Sequence, residues 1–313
     1  MRLTGTNKAK KEPASYEEVW LLGQPPLRTY LDFVKDVVIG GETLDPKALT
    51  DEWRAANDYY HELEERESGI ADEAECRDLD PALEPLAAEI AASPYYRHAF
   101  DTLPTSFAMV ELDRLIVYQT SVTRNFVEAL KSKIGPAPDP TTLFHICLPL
   151  EHPSAPVQAQ KVGSRRYVFR SDSADFRFHR AALLRPDQLQ NYYSFGPIAG
   201  VAGVVVGFGS NFLNVIRADN RLLLHNGYHR ACAFRALGVT HVPCIVQTVT
   251  RLDELELTAK SIVVEHPDFY FKTARPPLLK DFFDLQIRKI LPTRKLVRMI
   301  EVNFEVKDYL LPE

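Results

Sequence analysis

The chain has 313 residues, 45% of them hydrophobic and 25% charged, with a formal net charge of −5 and a sequence pI near 6.0. That balance supplies one large or two modest cores, and it excludes a protein whose whole surface tracks a nucleic-acid backbone, a mode that needs many Lys and Arg contacts to release counterions. No apolar run approaches the roughly 18 to 20 residues that cross a bilayer, and residues 1–12 are polar and Lys-rich without the apolar middle of a secretory signal. The expectation is therefore no membrane association and a cytoplasmic location.

Residues 1–13 read as a tail too polar and short to bury surface. Helical spacing is expected from Tyr16 onward, in Leu27, Tyr30, Leu31 and Val34, and again over 46–65, where Trp53, Ala56, Tyr59 and Tyr60 share a face. The acidic stretch 62–80 reads as a solvated face and connector, and 81–92 as a third helix, so 14–104 forms a helical N-terminal region.

After Pro104 the character changes. Residues 107–117 are rich in strand formers, 123–133 return to helical spacing, and 135–140 form a Pro-rich loop. Strands are expected at 143–148, 166–170 and 175–179, the last two joined into a hairpin by Ser171, Asp172 and Ser173, and a short helix is expected at 183–193. Gly203, Gly207 and Gly209 lack the Gly-x-Gly-x-x-Gly order of a dinucleotide loop and read as close packing of this segment against the sheet.

Residues 212–216 and 222–224 read as a hairpin around Ala218, Asp219 and Asn220. A helix is expected over 229–237 with Gly238 as its left-handed stop, then a strand over 241–249, a helix over 252–263, a short helix over 280–290 and a late strand over 297–306. Cys76, Cys147, Cys232 and Cys244 form no zinc spacing, and Cys232 and Cys244 lie among apolar neighbours as buried thiols. His145 and His152 lack companion ligands, so no metal site is expected in the side chains.

The informative segment is 220–248. A strand that enters a helix through a glycine turn aims the first free backbone N–H groups of that helix at one place, which suits an anion. Gly227 allows close approach, and His229 and Arg230 stand at the helix start, so Asn226, Gly227, Tyr228, His229 and Arg230 are the candidate phosphate-binding residues. The plain alternative is a tight hairpin turn whose Arg caps a helix.

The string from Leu223 through Leu224, His225, Asn226, Gly227 and Tyr228 to His229 and Arg230, then Ala233, Leu237-Gly238-Val239 and Val242-Pro243-Cys244-Ile245-Val246, resembles the core of the ParB/sulfiredoxin-like superfamily. Its members show a strand, a Gly-x-His-Arg or Gly-Glu-Arg-Arg turn, a helix ending in Leu-Gly and a strand opening with Val-Pro. Val110-Glu111-Leu112-Asp113-Arg114-Leu115 is similar to the strand with which such domains begin, and Gln119 with Arg124-Asn125-Phe126 echoes the next segment. The resemblance implies an α+β, mixed α/β fold: a ParB/sulfiredoxin-like nucleotide-binding domain over 105–250 with an inserted β-hairpin region at about 135–193, a helical N-terminal extension, and a helix and strand extension over 251–313.

It also implies a nucleoside triphosphate, ATP or CTP, with Mg²⁺ beside the phosphates, and an NTP hydrolase or a phosphotransferase acting on a small hydroxylated substrate. The alternatives are a non-catalytic nucleotide-dependent switch and a DNA-associated ParB-like protein. Sulfiredoxins carry their catalytic cysteine where Tyr228 stands, so that chemistry lacks its nucleophile. The serine-kinase members use a Glu where Gln119 stands, and an amide cannot take a hydroxyl proton. Candidate catalytic groups are therefore Glu111, Gln119 and His229, with the base unassigned. Arg124, Arg166, Arg177 and Arg180, with Arg165, Arg170 and His179 beside them, are the candidates for a second anion surface that would take a substrate phosphate or nucleic acid. The segment Arg275-Pro276-Pro277-Leu278-Leu279 reads as a rigid loop or a partner ligand.

Overall fold

A computed structural model describes residues 15–151, 155–173, 175–189 and 195–312. The tail at 1–13, His152 and the end of the helix expected at 183–193 lie outside the described residues. The chain is α+β and divides into two units, Met1–Leu150 with Asn211–Lys295, and Glu151–Ser210 with Leu296–Glu313. No helix among the described residues is long and apolar enough to cross a membrane.

The first unit opens with strand β1 (Tyr16–Leu21) where helix was expected. Its buried Val19, Trp20 and Leu21 belong to a central strand, because it pairs antiparallel on both sides with segments far along the chain. Helices α1 (Leu27–Val37) and α2 (Pro46–Arg66) follow as expected; the Asp45 side chain accepts from the Lys47 amide and Pro46 occupies the first turn, the usual chemistry of a helix start. Tyr30 and Val34 of α1 pack with Ala56, Tyr60 and Leu63 of α2 and with Trp20 of β1 in one cluster. After strand β2 (Cys76–Asp78) come α3 (Glu84–Ala92) and α4 (Pro94–Ala99).

Strand β3 (Thr105–Glu111) leads through an irregular segment to β4 (Ser121–Thr123) and α5 (Arg124–Ile134). The strand expected at 143–148 is the helix α6 (Pro140–Cys147). Asp139 accepts from the amides of Thr141 and Thr142 at 3.0 Å, Pro140 fixes the first turn, and Leu143, Phe144 and Cys147 then fall on one buried face.

In the second unit β5 (Val157–Lys161), β6 (Arg166–Ser171), β7 (Phe176–Leu184) and β8 (Val201–Phe208) follow. The hairpin expected between 166–170 and 175–179 does not form. Both edges of β6 are taken, by β5 and by the last strand, and β7 pairs instead with the glycine-punctuated β8. That segment is a strand of a two-stranded ribbon with Ala202 to Val205 exposed, so the expected packing of its glycines against the sheet is also corrected.

Back in the first unit, β9 (Asn214–Ala218) and β10 (Arg221–Asn226) form the expected hairpin, helix α7 (Tyr228–Ala236) follows Gly227, and β11 (His241–Val249) returns after Gly238 at φ 82°. The single helix expected over 252–263 is a 3-10 turn and α8 (Ser261–Glu265), followed by α9 (Pro267–Phe271). The helix expected over 280–290 is a 3-10 turn and strand β12 (Arg288–Thr293), and β13 (Arg298–Asn303) completes the second unit's sheet beside β6.

The first unit therefore holds a β12-β1-β4 sheet and a five-stranded β10-β9-β11-β3-β2 sheet. Within the larger sheet the period of two separates the faces: Val215, Leu222 and Leu224 enter the cluster with Phe234, Phe144 and Val127, whereas Ile216 and Leu223 enter the one with Leu255, Tyr270 and Leu278. The Arg275-Pro276-Pro277-Leu278-Leu279 segment is buried throughout and is no partner ligand. Arg275 makes a bidentate pair with Asp281 at 2.8 and 2.6 Å, both side chains 1% exposed, and also reaches Glu67, the residue that caps the end of α2, at 3.0 Å.

Candidate functional site

Gly227 is the hinge between β10 and α7. Its φ of +100° lies in the left-handed region, and a Cβ there would meet Leu213 Cγ at 2.9 Å, so both conformation and space call for glycine. Asn226 Nδ2 donates to the Phe212 carbonyl at 3.0 Å, which ties the turn to the strand behind it. No side chain caps α7, and the amides of Tyr228 and His229 meet no acceptor among the described residues; the first helical bond runs from the Ala231 amide to the Gly227 carbonyl at 2.9 Å.

A second helix start stands beside this one. Thr123 precedes α5 without capping it, and its amide donates to His229 Nε2 at 3.2 Å, while the rings of Phe126 and His229 meet edge to face at 5.5 Å. The amides of Arg124, Asn125 and Phe126 likewise meet no acceptor among the described residues. Two positive helix ends thus converge on His229.

The side chains there have unequal roles. Burial pushes His229 down to about 4, with the Arg230 charge acting the same way, so the imidazole is neutral at pH 7. With Nε2 accepting the Thr123 amide, the proton sits on Nδ1. Arg230 is 9% exposed, and its Nη1 donates to the carbonyls of Ile146, Cys147 and Asn211 at 3.1, 2.9 and 2.8 Å. It therefore closes the C-terminal end of α6, where a cation suits the dipole. The buried Tyr228 hydroxyl accepts from the Tyr118 amide at 3.0 Å and donates to the Leu224 carbonyl at 2.9 Å, and burial holds it well above the ordinary phenol range. Tyr228 thereby locks the segment before β4 onto α7.

Of the other candidates, Glu111 stands away from the turn. It precedes Leu112, whose amide binds the Thr240 carbonyl beyond the end of α7, and its carboxylate accepts from Arg114 at 3.1 Å and from the Glu75 amide at 3.2 Å. Gln119 is exposed in the segment that Tyr228 anchors. Arg124 pairs with Glu17 at 3.0 Å, in the first unit. Arg166 pairs with Glu301, Arg177 with Asp175, and Arg180 lies on β7, all in the second unit.

The structure brings in a carboxylate that sequence reading missed. Glu18 of β1 lies opposite Thr123 in the strand register and accepts from its hydroxyl at 2.5 Å. Burial pushes the Glu18 carboxyl above its ordinary range, against hydrogen bonds from Thr123 and Ser121 that lower it. No local signal marks it, because its partners come from a strand register formed over a long loop. A cavity of about 1140 Å³ lies near Gly238 and His241, past the far end of α7, with the carboxylates of Asp78, Asp80 and Glu84 against the single guanidinium of Arg77 in its lining. That acidic lining is a poor host for phosphate.

Comparison with protein-family models, curated proteins and solved structures finds no match for this chain.

Proposed function

We propose that the first unit binds the phosphates of a nucleoside triphosphate, ATP or CTP, where the starts of α5 and α7 meet, and that it is a ParB/sulfiredoxin-like domain acting as an NTP hydrolase or small-molecule phosphotransferase. The observation that carries this reading is the contact between the Thr123 amide and His229 Nε2, which holds the first-turn amides of both helices together. Backbone amides and helix dipoles suit a phosphate better than the side chains do, since His229 is neutral. Mg²⁺ would enter with the nucleotide: among the described residues no group of three or more His, Cys, Asp or Glu could hold an ion, and Mg²⁺ on a nucleotide takes most of its ligands from phosphates and water. Glu18, tied to the junction through Thr123, is the carboxylate best placed to take a proton from water or an acceptor hydroxyl.

The test is a thermal-shift and calorimetric titration with ATP, CTP and inorganic triphosphate in Mg²⁺, on the wild type and on Asn125→Asp. Asn125 Oδ1 accepts from the Glu17 amide at 2.7 Å, and an Asp keeps that bond and suits the first turn of α5. The added charge should lower nucleotide affinity by about tenfold or more while the melting point holds. Absence of any nucleotide-dependent shift in the wild type rejects the reading. Binding without phosphate release would leave a nucleotide-dependent switch, and retention on DNA that weakens with salt would point to a DNA-associated protein.

A further inference from the structure

The ribbon of β7 and β8 has an edge that ordinary monomers conceal. Among the described residues β8 pairs with β7 alone, so the other edge of its eight residues keeps its N–H and C=O groups unmatched. Val204 and Val205 are 37% and 41% exposed, and on β7 Phe178 and Leu183 are 51% and 76% exposed. A two-stranded ribbon with this little cover is marginal by itself in water. Natural edge strands are blunted by Lys, Pro or bulges. None occurs on β8, and the sequence carries no charged residue from 188 to 216.

We propose that β8 pairs antiparallel with β8 of a second copy of this chain, giving a continuous four-stranded sheet about a two-fold axis at Val205. A two-fold interface must complement itself, residue i meeting j while j meets i. The run Gly203-Val204-Val205-Val206-Gly207 reads the same in both directions about Val205. In that register Val205 faces its own copy, Val204 faces Val206, and Gly203 faces Gly207. Charge selects this edge over the other one: β7 carries Arg177 and Arg180, which a two-fold axis between them would set against each other, whereas β8 brings no charge to the axis. Gly203 leaves room beside the central valines, with no heavy atom within 4 Å of a Cβ built there, whereas at Gly207 the His179 ring of β7 already lies 3.2 Å from such a Cβ.

The experiment is sedimentation velocity and light scattering across the micromolar range on the full chain. The wild type is expected to be a dimer. Val205 lies opposite Arg180 within the ribbon, so Val205→Glu gains a cross-strand partner in its own chain while placing like charges at the axis, and it should weaken dimerisation at least about a hundredfold with unchanged circular dichroism. Val204→Lys should also dissociate the dimer, and adding Val206→Glu to it should restore association through paired opposite charges. A monomeric wild type, or a Val205→Glu protein that dimerises as tightly as wild type, overturns the proposal. If Val205→Glu fails to fold, the Val204→Lys and Val206→Glu pair decides: restored association supports the register and persistent dissociation overturns it.

Discussion

The Thr123 amide donates to His229 Nε2 at 3.2 Å, and this one bond joins the start of α5 to the start of α7. It requires a neutral imidazole, because a protonated ring offers no acceptor there.

Stability should therefore depend on pH through His229. Its value in the folded chain, about 4, lies below the ordinary 6.5, so the stabilisation is complete above pH 6.5 and is lost as pH falls through about 4. Denaturant melts from pH 7.5 to 4 should show a loss of at most about 3 kcal/mol from this group. Glu18 acts with the opposite sign: its raised carboxyl favours the folded state at low pH, and that benefit fades as pH rises. The difference between wild type and His229→Gln, which keeps an acceptor but does not titrate, isolates the histidine. A slope as steep in the variant as in wild type would remove His229 from this role.

Arg230→Ala should lose stability as well as any phosphate contact. The guanidinium serves the Ile146, Cys147 and Asn211 carbonyls, so truncation is expected to cost about 2 kcal/mol or more, read as a lower urea midpoint. The sequence places Arg230 among the candidate phosphate-binding residues, and the carbonyls it serves make Arg230→Ala an unsuitable probe of binding by itself. An unchanged midpoint would contradict the capping role.

Gly227→Ala meets two obstacles, a φ of +100° and Leu213 Cγ at 2.9 Å. A destabilisation of about 1 to 3 kcal/mol is expected. Pairing it with Leu213→Ala should recover the steric part and leave the backbone part, so a double-mutant cycle should give a favourable coupling. Strict additivity would mean that the contact with Leu213 is relieved without cost.

Asp281→Ala should be more damaging than removing the whole pair. Arg275 and Asp281 are both 1% exposed, and truncating the acid leaves a buried guanidinium with Glu67 as its remaining carboxylate, a loss of about 3 to 5 kcal/mol. Arg275→Met with Asp281→Leu should recover much of it in thermal melts. Equal losses in the single and double variants would show that packing, not charge, dominates this site.

Local chemistry was legible where it was complete within a few residues. Gly227 and Gly238 bracket α7, β11 spans the expected 241–249, and α1, α2 and α5 follow their apolar spacing. Cys232 and Cys244 are buried thiols, held high by burial. β1 reads locally as helix because a strand's reason for being extended lies in its neighbours, and those are Ser121–Thr123 and Arg288–Thr293. The pairing of β7 is not legible locally, because two basic segments with a Ser-rich turn between them satisfy hairpin rules while β6 pairs with β5 and β13, and β7 with β8.

The sequence by itself determined the α+β class and the succession of strand, glycine turn and helix over 221–236, since backbone torsions and caps act over a few residues. Only the tertiary structure decided that α5 begins beside α7, that Glu18 reaches Thr123, and that Arg230 closes α6, because those contacts depend on strand register and on which surfaces remain to be buried. Such choices are made among distant segments by the free energy of the whole assembly, and no short window of residues contains them.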